Sequence, residues 1–291
     1  MNISKFSGEK LLIIHADDFG MCHSVNVATI EAIRDGVISS LSMMIPCPWI
    51  LEAVQLLKEE DRLRFDHGIH LTMTSEWKVY KWGPTLPRDT VSSLTDGLGY
   101  FWSNVRDFYL HARVDEFKKE AWSQVERAKA YGLYPSHLDT HMGTAYMTGD
   151  FLRAYIEVAY AHGIMPMLVK PTEENMRLAR EMGLRIGDVY KSIVENVSTP
   201  MLDRLILGLK GRTLDERLRS FKKIASGLRK GTLSMLIVHL GLDKEELRAI
   251  IGEDYWERVL DYMVVMSREA KEIIERYNVR LVGWRDLLGW G

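Results

Sequence analysis

The sequence predicts an α/β protein built on a parallel sheet, either closed into a β/α barrel or doubly wound. Three observations carry that prediction. Short apolar runs alternate with stretches of helical periodicity about seven or eight times along the chain. Five of the apolar runs end in histidine, aspartate or lysine, the pattern of residues at the C-terminal ends of parallel strands. No stretch is rich enough in Pro, Gly or Ser to read as an interdomain linker, and no internal repeat or low-complexity segment breaks the alternation.

The elements follow in order. LLIIHA (11–16) reads as a strand buried on both sides, and SVNVATIEAIRDG (24–36) as a helix ending on a glycine. VISSLSMMIP (37–46) is the next strand, and WILEAVQLLKEE (49–60) carries the next helix. RFDHGIHLTMT (64–74) is a third strand, followed by a long irregular segment and a helix over 113–131. PSHLDTHMG (135–143) precedes a helix at about 149–162, and PMLVKP (166–171) precedes one at 172–183. LRIGDVY (184–190) is a candidate strand; TLSMLIVHLG (232–241) and VRLVGW (279–284) close the series. One domain over 1–291, with an insertion at about 75–105, is the simplest organisation.

Composition narrows the function classes. The chain has 291 residues, 46% of them hydrophobic and 27% charged, as in ordinary globular proteins that bury a sizeable core. A net charge of −2 gives no basis for expecting nucleic acid or an anionic membrane as partner. The apolar runs are too short to span a bilayer, and MNISKFSGEKLL lacks the apolar core and cleavage site of a signal peptide, so a cytoplasmic location is expected. Cys22 and Cys47 have neither disulfide-framework nor zinc-knuckle spacing and read as buried packing residues.

The chemistry gathers at the strand ends: His15, Asp17 and Asp18; His67 and His70; His137, Asp139 and His141; Lys170; His239. In LLIIHADDFGMCHS two adjacent carboxylates sit at an apolar boundary, a costly arrangement unless a positive group shares the site, and a metal ion answers that need. His23, His111 and His162 lie in helical or loop sequence away from this clustering and are set aside. His70 and His141 end strands, and a carboxylate lies two positions before His141. One acidic and two imidazole ligands with open positions describe a hydrolytic divalent-metal centre.

HADDFG near the N-terminus, GIHLT near 70, PSHLDTHMG near 140 and a late VHLG together resemble the YdjC-like carbohydrate deacetylases, the group that includes chitooligosaccharide deacetylase and the hopanoid-biosynthesis deacetylase. The resemblance runs from about residue 11 to residue 241, with ADDFG its most specific element. It implies a distorted β/α barrel of about seven strands, related to polysaccharide deacetylases, and a divalent metal held by Asp18, His70 and His141. Asp17 then takes the place of general base. Many relatives have a histidine-rich run after the fourth-motif aspartate and a His-Pro-Gly near the end, where this chain has LDTHMG and VHLG.

The implied reaction is removal of an N-acetyl group from an amino sugar or short oligosaccharide. A divalent cation activates water and polarises the acetyl carbonyl, Asp17 accepts the proton, and His239 protonates the departing amine. Magnesium or zinc suits the set, with manganese and cobalt as the other candidates. Asp139 is placed near ligand or substrate, as an acceptor that orients His141 or contacts metal or base, and Lys170 is placed in the substrate pocket. Glu173 and Glu174 read as residues of a helix start. Trp77, Tyr80, Trp82, Tyr100, Phe101 and Trp102 offer faces for sugar stacking, for packing the insertion down as a lid, or for a homodimer contact. Leu214, Leu218, Phe221, Ile224 and Leu228 fall at helical spacing, so the basic stretch around them is a solvated helix face, and Met263 to Met266 read as core. The alternatives are hydrolysis of another amide or a phosphoester, or a catalytically silent sugar-binding protein on the same fold.

Overall fold

The computed structural model describes residues 6–59, 65–184 and 187–288. Along the chain run β1 (Lys10–Phe19), α1 (His23–Asp35), β2 (Ser40–Met43), α2 (Ile50–Glu59), β3 (His67–Leu71), α3 (Val105–His111), α4 (Val114–Ala130) and β4 (His137–Thr140). They are followed by α5 (Gly149–Ala161), β5 (Met165–Pro166), α6 (Glu173–Glu181), α7 (Gly187–Val194), β6 (Arg204–Leu207), α8 (Leu214–Gly227) and β7 (Thr232–His239). The chain ends with α9 (Glu245–Ile251), α10 (Tyr255–Met266), α11 (Arg268–Arg276), β8 (Val279–Leu281) and α12 (Trp284–Leu288).

Every named strand pairing is parallel, in the order β5-β4-β3-β2-β1-β7-β6, with β8 beside the lower half of β1. The sheet curls until its outer edges approach, where among the described residues an isolated bridge between Val169 and Leu202 joins them. This is a distorted β/α barrel with seven strands around its wall. Period-two alternation sorts β1 into two environments. Leu12, Ile14 and Ala16 pack outward among the helices, while Leu11 and Ile13 join Met235, Ile237 and Trp284 in an inner cluster. Further along the inner face of β1 the side chains become His15 and Asp17, so one end of the lumen is apolar and the other is polar.

Two of the expected elements differ. Of the strand expected at 184–190, Arg185 and Ile186 lie outside the described residues, and from Gly187 the chain is helical. Tyr190 and Val194, four apart and buried, give that helix its inward stripe. The strand paired to β7 on this side is instead Arg204–Leu207, a short half-exposed edge whose apolar signal is weak. In α10, Val264 and Val265 are buried but Met263 is exposed, because four consecutive helical residues sweep most of the way round the axis and cannot all face the core. Among the described residues no helix is long and apolar enough to cross a membrane.

The segment 75–105 is packed down as a wall. Trp82 and Phe101 are buried, and Trp82 Nε1 donates to the Thr74 carbonyl at 2.8 Å. Two buried glutamates of α4 hold it: Glu120 accepts from the Thr85 and Leu86 amides at 2.8 and 3.1 Å, and Glu116 from the Ser93 amide at 2.7 Å. Cys22 and Cys47 are free and buried, and burial pushes the Cys22 thiol up to about 12.

Candidate metal centre

Adjacent residues of a regular strand point to opposite faces, so a strand alone does not bring Asp17 and Asp18 together. The end of β1 breaks the rule. Pairing with β2 shifts register between Ala16 and Phe19, and Asp18 adopts a left-handed φ of 68°, a conformation aspartate tolerates better than most residues. The turn is pinned beyond it, where Gly20 has φ of 98° and donates its amide to Asn26 Oδ1 at 2.7 Å. Both carboxylates consequently face the polar end of the lumen.

Three donors converge there. Asp18 Oδ1 lies 3.4 Å from His70 Nε2 and 3.4 Å from His141 Nδ1, and the two ring nitrogens are 3.3 Å apart. Bonds of about 2.0–2.1 Å at tetrahedral angles place neighbouring donors about 3.3–3.4 Å apart, so the triangle has the size a zinc-like ion requires. All three side chains are buried, and Asp18 Oδ1 has no hydrogen-bond partner. Two further buried groupings, His15 with His137 and Asp139, and Asp17 with His70 and Asp139, are close enough to hold an ion. In each of these, two of the donors already pair with one another, His15 Nε2 with Asp139 Oδ2 at 2.9 Å and His70 Nδ1 with Asp139 Oδ1 at 2.8 Å.

Each donor of the open triangle has its own outer partner, the arrangement that fixes ligand orientation at metal sites. His70 Nδ1 meets Asp139 because His70 and Asp139 stand opposite each other in the β3–β4 register. His141 Nε2 meets Glu76 Oε2 at 3.0 Å. The second oxygen of Asp18 is held by the Arg258 guanidinium, from α10. Burial raises the Asp18 pKa, but Arg258 and then His141 override it and hold the carboxyl well below the usual range. Burial likewise disfavours charge on the rings, yet Asp139 and Asp17 raise His70 to about 9, and Glu76 and Asp18 raise His141 to about 10. Without an ion, this pocket of carboxylates draws protons onto its imidazoles; a divalent cation meets the same electrostatic demand.

Asp17 and His239 stand next to the triangle, paired in the β1–β7 register, with Asp17 Oδ2 3.7 Å from His239 Nε2. Burial, opposed by His70, brings the Asp17 carboxyl up to about 6, and burial brings the His239 imidazole down to about 4. The His239 side chain is 43% exposed, and its backbone amide donates to Asp261 Oδ2 at 3.1 Å. Asp17 and His239 both line a cavity of 610 Å³ that extends away from the triangle.

Six of the residues singled out in the sequence are thus brought together, with two corrections. Asp139 meets His70 rather than His141, and it is buried and not among the residues lining the cavity at Asp17 and His239. Lys170 is not at this site: its ammonium pairs with Asp203 at 2.6 Å and lines a separate cavity with Phe6, Thr232 and Leu233, at the opposite end of β7. Thr172 caps α6 by accepting from the Asn175 amide, and Glu174 pairs with Arg204 at 2.8 Å. Arg258, Asp261 and Glu76 were not anticipated. A signal existed for the first two, since Arg258 and Asp261 share the stripe of α10 that carries buried Val264 and Val265. Glu76 sits in SEW, among aromatic residues that draw attention away from it.

The YdjC-like protein family model matches residues 11–276. This chain belongs to the YdjC-like family. A carbohydrate deacetylase from Enterococcus faecalis is 35% identical over 290 residues, covering 96% of this chain and 98% of the relative. Another, from Thermus thermophilus, is 28% identical over 273 residues, covering 93% and 92%. A crystal structure from Enterococcus faecalis, assigned provisionally to cellobiose-phosphate cleavage, superposes with a TM-score of 0.79 at 23% identity, covering 96% of this chain and 99% of that one. This YdjC-like chain shares the fold of that structure.

Proposed function

We propose that this YdjC-like protein is a metal-dependent carbohydrate N-deacetylase that hydrolyses the acetamido group of an amino sugar or short oligosaccharide. The observation that carries the reading is the buried Asp18–His70–His141 triangle, 3.3–3.4 Å on each side, with Asp18 Oδ1 unpartnered and Asp17 beside it. The names of the YdjC-like relatives support the carbohydrate substrate and the acetyl group. Two imidazoles and a carboxylate at this spacing favour zinc, because octahedral magnesium bonds of about 2.0–2.1 Å bring neighbouring donors to about 3.0 Å.

Asp18, His70 and His141 hold the ion, with Arg258, Asp139 and Glu76 keeping them in place. When bound, the ion supplies Lewis acidity at the acetyl carbonyl and a lowered pKa for water. Asp17 takes the proton of the attacking water on its carboxylate. His239 Nε2, 3.7 Å from Asp17 Oδ2 and open to the cavity, stands on the short path by which that proton reaches the departing amine.

Acetate release from mono- and di-N-acetylated sugars tests the reading, with zinc, magnesium, manganese or cobalt supplied. Asp17→Asn should keep its metal and lose at least about a thousandfold in kcat, whereas His70→Ala should lose both metal and turnover. Tight sugar binding with no acetate from the metal-supplied wild type would establish the silent sugar-binding alternative instead.

A further inference from the structure

Period-two alternation puts His15 and Asp17 on the same inner face of β1, and Asp17 turns its two oxygens to different neighbours. Oδ2 is the oxygen nearer the triangle and the cavity, 3.9 Å from His70 Nε2 and 3.7 Å from His239 Nε2. Oδ1 is buried without a hydrogen bond, and His15 Nε2 stands 3.3 Å from it. The same ring nitrogen lies 2.9 Å from Asp139 Oδ2 and 3.1 Å from Ser42 Oγ. Ionised carboxylates only accept hydrogen bonds, so Nε2 carries the proton, and Nδ1 accepts from Ser40 Oγ at 2.9 Å. His15 is completely buried, so no solvent competes for that single N–H.

A general base works only when the oxygen that takes the proton is held where the water will be, and a carboxylate anchored through one oxygen keeps the other in place. We infer that His15 is the positioning residue of the base: its Nε2–H is shared between Asp17 Oδ1 and Asp139 Oδ2, which fixes the carboxylate plane of Asp17 and leaves Oδ2 for the proton of the attacking water. Asp139 makes the anchor rigid. Its Oδ1 meets His70 Nδ1 at 2.8 Å, so the ring that holds the base is tied to the same carboxylate as a metal ligand. Base and ion site thereby keep a fixed separation through one buried chain, Asp17–His15–Asp139–His70. The identity of the reaction in this assignment rests on the deacetylase reading, while the anchoring of Asp17 rests on the distances alone.

Two measurements on the zinc-supplied protein test the two parts. His15→Met removes the N–H at nearly constant side-chain length, and His15→Gln places an amide N–H near the position of Nε2. In acetate release from the β-1,4-linked N-acetylglucosamine dimer at saturating zinc, His15→Met should lower kcat about tenfold to a hundredfold with KM within about twofold. His15→Gln should recover most of that loss. In an Asp17→Asn background the methionine should lower the residual rate hardly at all, because the base it would misplace is already gone. A loss that adds in full to that of Asp17→Asn, a loss that more zinc abolishes, or a methionine variant equal to wild type overturns the inference. The second measurement needs neither turnover nor the methionine variant. The His15 Nε2 proton, assigned by NMR from its absence in His15→Gln, should lie far downfield and move upfield in Asp17→Asn. A resonance that stays in place means that His15 serves Asp139 alone, and the anchoring falls. Wild type that releases no acetate removes the deacetylase reading, and the NMR comparison then decides by itself whether His15 holds Asp17.

Discussion

Strands β3 and β4 each begin with one histidine and have another at or just beyond the far end, and the two pairs live in opposite electrostatic worlds. At the far end, His70 and His141 are surrounded by Asp17, Asp18, Asp139 and Glu76 and are driven up to about 9 and about 10. At the near end, burial drives His67 down to about 4 and His137 down to about 3. His67 touches the Phe65 carbonyl and Tyr134 amide, and His137 sits between His15 and Trp284 with its Nε2 unpartnered. The near pair are neutral rings used for packing. A buried histidine is therefore no indicator of a site; an uncompensated carboxylate oxygen facing it is.

The contrast breaks most directly at Gly68, where the two pairs meet across β3. A Cβ there would lie 2.4 Å from His137 Nε2 and 2.5–2.6 Å from its neighbouring ring carbons. That ring is held by Ser136 Oγ at 2.8 Å and flanked by Trp284, so it has little freedom to yield. Gly68→Ala should destabilise the fold by about 3 kcal/mol, read from urea unfolding. The far pair is tested at Asp139, which touches His70 and His15. Asp139→Asn should weaken zinc binding tenfold to a hundredfold, about 1.4–2.7 kcal/mol, in a calorimetric titration. His137→Gln, two residues earlier on the same strand, should leave zinc affinity within about twofold, since none of its contacts is to a ligand of the triangle.

How far each half of this picture can be read without coordinates follows from the range of the interaction that creates it. The strands β1, β3, β4 and β7 are legible because each is a short apolar run ending in charged or imidazole groups, and Asp18, His70 and His141 stand in motifs local enough to recognise. Asp139 was visible as a polar strand residue, but its partner was not. Register pairs it with His70 across the β3–β4 ladder, whereas sequence proximity pointed to His141. Lys170 misled for a related reason: a cation at an apparent strand end says nothing of which end of the barrel it reaches, and pairing with Asp203 holds it at the other one. Arg258 lies 240 residues from Asp18, so only the closure of the barrel reveals that contact. The left-handed φ of Asp18 is equally silent in the sequence, yet it is what lets adjacent aspartates share one site.

The smallest expected effect sharpens the comparison through its sign. His67 has a folded pKa of about 4 against an ordinary value of 6.5, so the unfolded chain binds more protons between those values. Stability contributed by the neutral ring is full above about 6.5 and is lost as pH falls toward 4. Its share of that loss between pH 7 and pH 5.5 is about 1 kcal/mol. His67→Gln should flatten the decline by that amount in urea unfolding curves taken at the two pH values, while leaving zinc binding at pH 7 unchanged. Because His67 touches none of the three converging donors, a slope left unchanged by the substitution would mean that His67 is not the neutral packing group its surroundings make it.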